Sequence, residues 1–100
     1  MRLSDASLHG RTVISSEGLA IGDVEALFID SDAWRVDSLQ IKLRKDIADR
    51  LGAGRSMFHA GTVEIPTRMV QSVGDAVVLS VAVDDLRQVL PGATEPASAH

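Results

Sequence analysis

The stretch that decides the fold runs from Ser16 to Asp30 and reads Ser-Glu-Gly-Leu-Ala-Ile-Gly-Asp-Val-Glu-Ala-Leu-Phe-Ile-Asp. Turn chemistry at Glu17-Gly18 opens it, and a long apolar-rich run follows. The pattern predicts a hairpin that leads into a long, bent strand with which other strands pair. Gly22 inside this strand indicates a β-bulge or a place where another backbone comes close.

Apolar residues occupy both faces of the predicted strand, residues 21–30. By alternation Val24, Ala26 and Phe28 share one face, and Leu27 and Ile29 share the other. A strand that is apolar on both faces is covered on both sides, or bends so that it serves two sides of a barrel. The run therefore predicts a central strand.

Further strands are predicted at residues 12–14, 35–43, 62–65 and 76–83. The alternation is clearest in the second of these, where Leu39, Ile41 and Leu43 face one side and Ser38 faces the other. The sequence also predicts three short helical segments, at residues 5–8, 44–51 and 84–90. Ser4 is the expected cap of the first, and glycines or proline stop the other two.

Glycine, proline and aspartate separate these elements. The residues to which we assign structural roles in turns or bulges are Gly18, Gly22, Pro66, Gly74 and Asp75. Short strands joined by such turns predict a mainly β protein, a small antiparallel β-barrel with one or two short helices. Residues 1–90 form the predicted domain, and residues 91–100, which are mostly small, form a predicted disordered tail.

Composition excludes several classes of function. The chain of 100 residues has no cysteine, which removes disulfides, thiolate metal sites and cysteine catalysis. The formal net charge of −4 opposes duplex nucleic acid as the main partner. No apolar run approaches the roughly 20 residues that span a bilayer, and residues 1–7 contain no secretory apolar region. We expect a cytoplasmic protein.

No constellation of residues points to catalysis or to a bound cofactor. Gly18 and Gly22 lack the glycine spacing of a phosphate-binding loop. Asp30 and Asp32 do not have the spacing of a calcium loop, and His9 stands alone where zinc needs three or four ligands. We therefore predict no catalytic residue, no metal site and no cofactor.

Two sets of residues carry a family resemblance, and together they cover roughly residues 3–83. The first is Val13, then Ser16-Glu17-Gly18-x-x-Ile21-Gly22-Asp23-Val24, then Phe28-Ile29-Asp30, then Val36-x-x-Leu39. The second is Val63-x-Ile65-Pro66-x-x-x-Val70-x-x-Val73-Gly74-Asp75-x-Val77-x-Leu79. In this order they resemble the two halves of PRC-barrel domains.

The resemblance implies a PRC-type β-barrel of the short, stand-alone form. Other members lie in the cytoplasmic part of the photosynthetic reaction centre H subunit and in the C-terminal domain of a ribosome-maturation factor. The family has no shared catalytic residues, and its members look like adaptors. The resemblance thus implies a non-enzymatic protein-interaction module. In general, a shared fold determines function only loosely.

An excess of apolar side chains suggests how such a module binds. Trp34, Met57, Phe58 and Val78 are the predicted interface residues, since a barrel this small does not enclose them all. We expect a homodimer, because two-fold dimers are the commonest oligomers, and the sequence does not name any other protein partner. The alternative is an RNA- or ribosome-maturation accessory that uses a basic face formed by Lys42, Arg44, Lys45, Arg50 and Arg55.

Overall fold

The computed structural model describes residues 2–51 and 61–89. The strands are β1 (Thr12–Ile14), β2 (Ala20–Asp30), β3 (Arg35–Leu43), β4 (Thr62–Pro66), β5 (Val70–Val73) and β6 (Val77–Leu79). The α-helices are α1 (Asp5–Leu8), α2 (Lys45–Leu51) and α3 (Val83–Val89). Within the described residues the protein is mainly β with few short helices, as predicted, and the three α-helices lie at the three predicted helical segments. The predicted tail, residues 91–100, lies outside the described residues.

The strands form one six-stranded sheet in the order β4-β3-β2-β1-β6-β5. β4 and β5 stand at opposite ends of this order, yet only a 3₁₀ turn, Thr67–Met69, connects them. The sheet must therefore curl until its two ends meet. The turn joins the barrel on both sides: Thr67 Oγ1 donates to the Asp37 carbonyl at 3.2 Å, and Ser80 N donates to the Met69 carbonyl at 2.8 Å.

One strand pair departs from the predicted antiparallel arrangement. β1 and β6 run parallel, with Val13 opposite Val77 and Ile14 opposite Val78, whereas the other four pairs are antiparallel. A two-residue turn forces neighbouring strands to be antiparallel, but most of the chain lies between β1 and β6. Local turn signals therefore could not predict the direction of this pair.

The last strand is shorter than predicted. The strand expected over residues 76–83 ends at Leu79, and Val83 instead begins α3. The chain leaves β6 at Ser80, and the carboxylate of Glu17 accepts a hydrogen bond from Val83 N at 3.3 Å. Val83 is fully buried at the start of the helix, so its alternation with Val81 predicts a continued strand although the strand has already ended.

The core inside the barrel is aliphatic. It includes Ile21, Ile41, Ile65, Leu79 and Leu86, all of them fully buried. The prediction that Leu39, Ile41 and Leu43 face inward is confirmed. Ser38 lies on the other face, as predicted, opposite the exposed Phe28, but it is only 2% exposed. Its hydroxyl donates to Glu64 on β4 at 2.5 Å, which gives the buried group a partner.

Irregularities in β2 change which side chains face the core. Ile21 is an extra residue in the ladder with β1, and Glu25 is an extra residue in the ladder with β3. Such bulges turn the following residues to the other face. The expectation that Val24 and Phe28 share one buried face is therefore wrong: Val24 and Leu27 pack on the core, and Phe28 is exposed.

The predicted turn residues lie as follows. Gly18 has φ +83°, a conformation that favours glycine, in the β1–β2 turn. Gly22 lies in the bulged part of β2, opposite Val13. Pro66 is the last residue of β4 and faces Ser38. Gly74 and Asp75 are exposed between β5 and β6.

Candidate interaction site

The far half of the β2–β3 hairpin extends beyond its neighbouring strands. β1 pairs with β2 only as far as Asp23, and the backbone bonds of Gly10 and Arg11 reach Val24. On the other side β4 pairs with β3 only as far as Ser38. Residues 26–37 are here called the hairpin arm. In the ladders they pair only within the β2–β3 hairpin, and beyond Ser38 the described residues provide no third strand, so the outer end of the arm, residues 29–36, is a two-stranded ribbon. Such a two-stranded ribbon is only marginally stable alone in water.

A network of hydrogen bonds orders the tip of the hairpin arm. Asp30 Oδ1 accepts from Asp32 N at 2.9 Å and from Ala33 N at 3.2 Å, and the Asp30 carbonyl accepts from Trp34 N at 2.7 Å. Trp34 adopts φ +56°, which is uncommon for a bulky residue. The turn thus holds Trp34 out into solvent, where 80% of it is exposed.

The hairpin arm carries most of the exposed large apolar side chains of the described residues. Besides Trp34, these are Ile29 at 54% and Phe28 at 40%. Leu3, at 38%, lies beside the arm, and Leu19, also 38%, lies in the separate β1–β2 turn. Clustered exposure of this kind marks an interaction surface, whereas a single exposed apolar residue does not.

A groove of about 680 Å³ runs between α1 and the hairpin arm. Leu3 and Ala6 line it from the side of α1, and Leu27, Ile29 and Val36 line it from the arm. Asp5, His9 and Glu25 add polar groups. Its walls are held in place: Ser4 and Ser7 cap α1 reciprocally, Leu8 is buried, and Gln40 donates to Glu25 at 2.6 Å.

The two edges of the hairpin arm differ. On the β3 side Thr67 Oγ1 donates to the carbonyls of Val36 and Asp37, at 3.4 and 3.2 Å, so this edge is already in contact with the chain. On the β2 side, residues 25–29 have no neighbouring strand among the described residues, and all of them except Phe28 line the groove. The β2 edge is therefore the accessible one.

The predicted interface residues do not form one patch. Trp34 is at the tip of the hairpin arm, whereas Val78 is half-buried on β6 between β1 and β5. Met57 and Phe58 lie outside the described residues. Sequence reasoning missed Phe28, Ile29 and Leu3 as surface residues, because regular alternation placed the first two in a barrel wall.

The described residues of the predicted basic face do not form a surface of uniformly positive charge. Lys42, Arg44 and Lys45 are exposed, but Arg50 forms a two-pronged pair with Asp84: Nε donates to Oδ1 and Nη2 to Oδ2, both at 3.1 Å. These hydrogen bonds, followed by the charge of Asp84, raise the pKa of Arg50. The pair joins α2 to α3. Arg55 lies outside the described residues.

The described residues contain neither a cluster of metal ligands nor a helix that could span a membrane. Nowhere in residues 2–51 and 61–89 do three or more His, Asp or Glu side chains gather closely enough to hold a metal ion. No helix in the same ranges has the length and apolar character needed to cross a bilayer.

Comparison with known proteins agrees with the architecture. The family model described as PRC-barrel domain matches residues 2–86, which is most of the chain and includes the hairpin arm and the groove. No curated protein matches the sequence significantly.

Proposed function

The chain belongs to the PRC-barrel domain family, and from this premise we propose that it is a non-enzymatic protein-interaction module that associates with itself. The observation that carries the proposal is the hairpin arm, which exposes Phe28, Ile29 and Trp34 on one pair of strands. Three large apolar side chains are exposed to water in the free domain, and the free energy falls when a protein surface covers them.

The size of these side chains fits a protein partner. Trp34, at 80% exposed, presents on the order of 200 Å². A standard interface covers about 800 Å² on each partner, so the arm supplies a substantial part of one together with the groove beside it. Trp is also among the residues that dominate binding energies in interfaces. An association of identical copies needs only the hairpin arm of each copy, used twice around a two-fold axis.

The alternative of an RNA-maturation accessory has less support. Phosphate binding needs basic side chains that are free to meet a backbone of negative charges. Here Arg50 pairs with Asp84, and Asp46 and Asp49 stand on the same helix. We expect no RNA complex whose affinity falls on Lys45→Glu.

Sedimentation equilibrium of the full chain tests self-association. The monomer has a mass of 10.6 kDa, so a dimer has 2 × 10.6 = 21.2 kDa. We expect the dimer mass at micromolar concentration, and a shift toward monomer for Ile29→Ser. Leu19→Ser is the matched control, because Leu19 is an exposed apolar residue outside the hairpin arm. A monomer mass throughout the concentration range contradicts self-association.

A further inference from the structure

We propose that two copies of this chain pair through the open edge of β2, with Phe28 opposite Phe28 of the second copy. The inference rests on the proposed self-association and names its surface and register. Residues 26–30 of each copy form the added ladder, so two curled sheets become continuous across a two-fold axis.

The accessible edge is the reason for strand pairing. An edge strand presents unpaired N–H and C=O groups that form a template for another strand. In the hairpin arm this holds for the β2 side, while Thr67 bonds the carbonyls on the β3 side. Five residues of β2 span about 17 Å, and the groove beside them is lined by Leu3 and Ala6 on its other wall.

The sequence of the edge favours a second copy over an unrelated strand. Two copies of one strand that are related by a two-fold axis run antiparallel, as the strongest ladders do. With Phe28 opposite Phe28, Leu27 lies opposite Ile29 at both symmetric positions. Every central position then meets an apolar side chain, which is the kind of cross-strand pair that stabilises sheets.

Other registers are worse because they misplace carboxylates. Centring the pair on Leu27 puts Glu25 opposite Ile29, and centring it on Asp30 puts two aspartates opposite each other. In the proposed register Glu25 faces Ser31 and Asp30 faces Ala26, so no two carboxylates are opposed. The register follows from the residues of this edge alone.

Because the chain has no cysteine, a single introduced thiol tests the register directly. Facing residues in an antiparallel pair have Cα atoms about 4.5–5.5 Å apart, which is within the range that a disulfide bridges. We expect Phe28→Cys in the full chain to form a covalent dimer on mild oxidation. Leu19→Cys, an equally accessible position away from the arm, should remain largely monomeric in denaturing gels.

A second variant tests the same strand edge without relying on a cross-link through one introduced thiol. Ile29→Lys places a charge in the added ladder, and we expect dimerisation to weaken about tenfold or more, while Leu19→Lys leaves it unchanged. Circular dichroism checks that both variants keep the β fold of the parent. Covalent dimers of Phe28→Cys, together with loss of dimer in Ile29→Lys, are the expected result.

The remaining outcomes overturn the inference in distinguishable ways. A stable dimer that Ile29→Lys leaves intact, and in which Phe28→Cys does not cross-link, rejects the β2 edge but keeps self-association. A monomeric parent chain rejects both. A monomer whose Trp34 fluorescence shifts on phosphatidylcholine vesicles assigns the arm to a lipid surface and also rejects both.

Discussion

Gly22 on β2 lies directly against the backbone carbonyl oxygen of Lys42 on β3. A Cβ atom built on Gly22 would overlap that oxygen, with the Cα of Leu43 as its next neighbour. Backbone atoms cannot move aside as the end of a flexible side chain can. The close approach occurs where β2 is bulged opposite β1, so glycine here allows the central strand to bend and still pair on both sides.

Gly22→Ala should therefore destabilise the barrel strongly. We expect the free energy of unfolding to fall by about 2–4 kcal/mol, because the methyl group forces a backbone shift inside the sheet. Urea unfolding monitored by circular dichroism measures the change. Gly74→Ala is the control: a Cβ atom there meets nothing within 4 Å, and its φ is not positive. Its stability should stay within about 0.5 kcal/mol of the parent, and equal losses in both variants would contradict the steric argument.

The buried hydroxyl of Ser38 provides a second test. Ser38 donates to Glu64 Oε2 from a position in β3 that is closed to water. Glu64→Ala should destabilise by about 1–3 kcal/mol, since it leaves the hydroxyl without its acceptor. Adding Ser38→Ala should recover part of this loss, because no unpaired group then remains. Denaturant unfolding of the two single variants and the double variant measures the coupling, and strict additivity would contradict it.

Local patterns were sufficient for most elements of the fold. Alternation located β3 over Arg35–Leu43 with both ends correct, and Ser4 was identified as the cap of α1. Both depend on residues within a few positions of each other. The parallel contact of β1 with β6 could not be predicted in this way, since it joins Val13 to Val77 across most of the chain.

The candidate site was harder to predict for a related reason. The bulge at Glu25 shifts the phase of alternation by one residue, and this shift exposes Phe28. The hairpin arm is uncovered because the ladders of β1 and β4 stop before they reach it. No residue within the arm determines where those two ladders stop. Trp34 could be found from sequence because it follows turn residues and is the only tryptophan.

The Arg50–Asp84 pair gives a prediction about salt and pH. Both side chains are exposed to solvent, so Arg50→Gln should lower the melting temperature only slightly, and less in concentrated salt. Asp84 raises the pKa of Arg50 in the folded state. The pair's contribution to the free energy of unfolding is then fully present at any pH below the pKa of arginine in the unfolded chain. It is lost only when the pH rises through the higher pKa of Arg50 in the folded state. Thermal melts of parent and variant across the neutral range should differ by a constant amount, and a difference that changes there would contradict this assignment.

Trp34 combines backbone strain with exposure, and substitutions at this position separate the two. Its φ of +56° lies in the left-handed region, where a residue with a side chain is destabilised by about 1–2 kcal/mol relative to glycine. Trp34→Gly should therefore leave the monomer as stable as the parent or stabilise it by about 1 kcal/mol. The measurement is urea unfolding at a concentration low enough to dissociate dimers.

The same substitution should weaken self-association, because it removes the largest exposed apolar side chain of the hairpin arm. Trp34→Ala separates the two effects: it also lacks the indole ring but keeps the strained backbone, so it should lose association to the same degree without the gain in monomer stability. Sedimentation measures association for both variants. Monomers destabilised by more than about 1 kcal/mol in Trp34→Gly would mean that the indole supports the hairpin itself, and unchanged association in both would remove Trp34 from the interface.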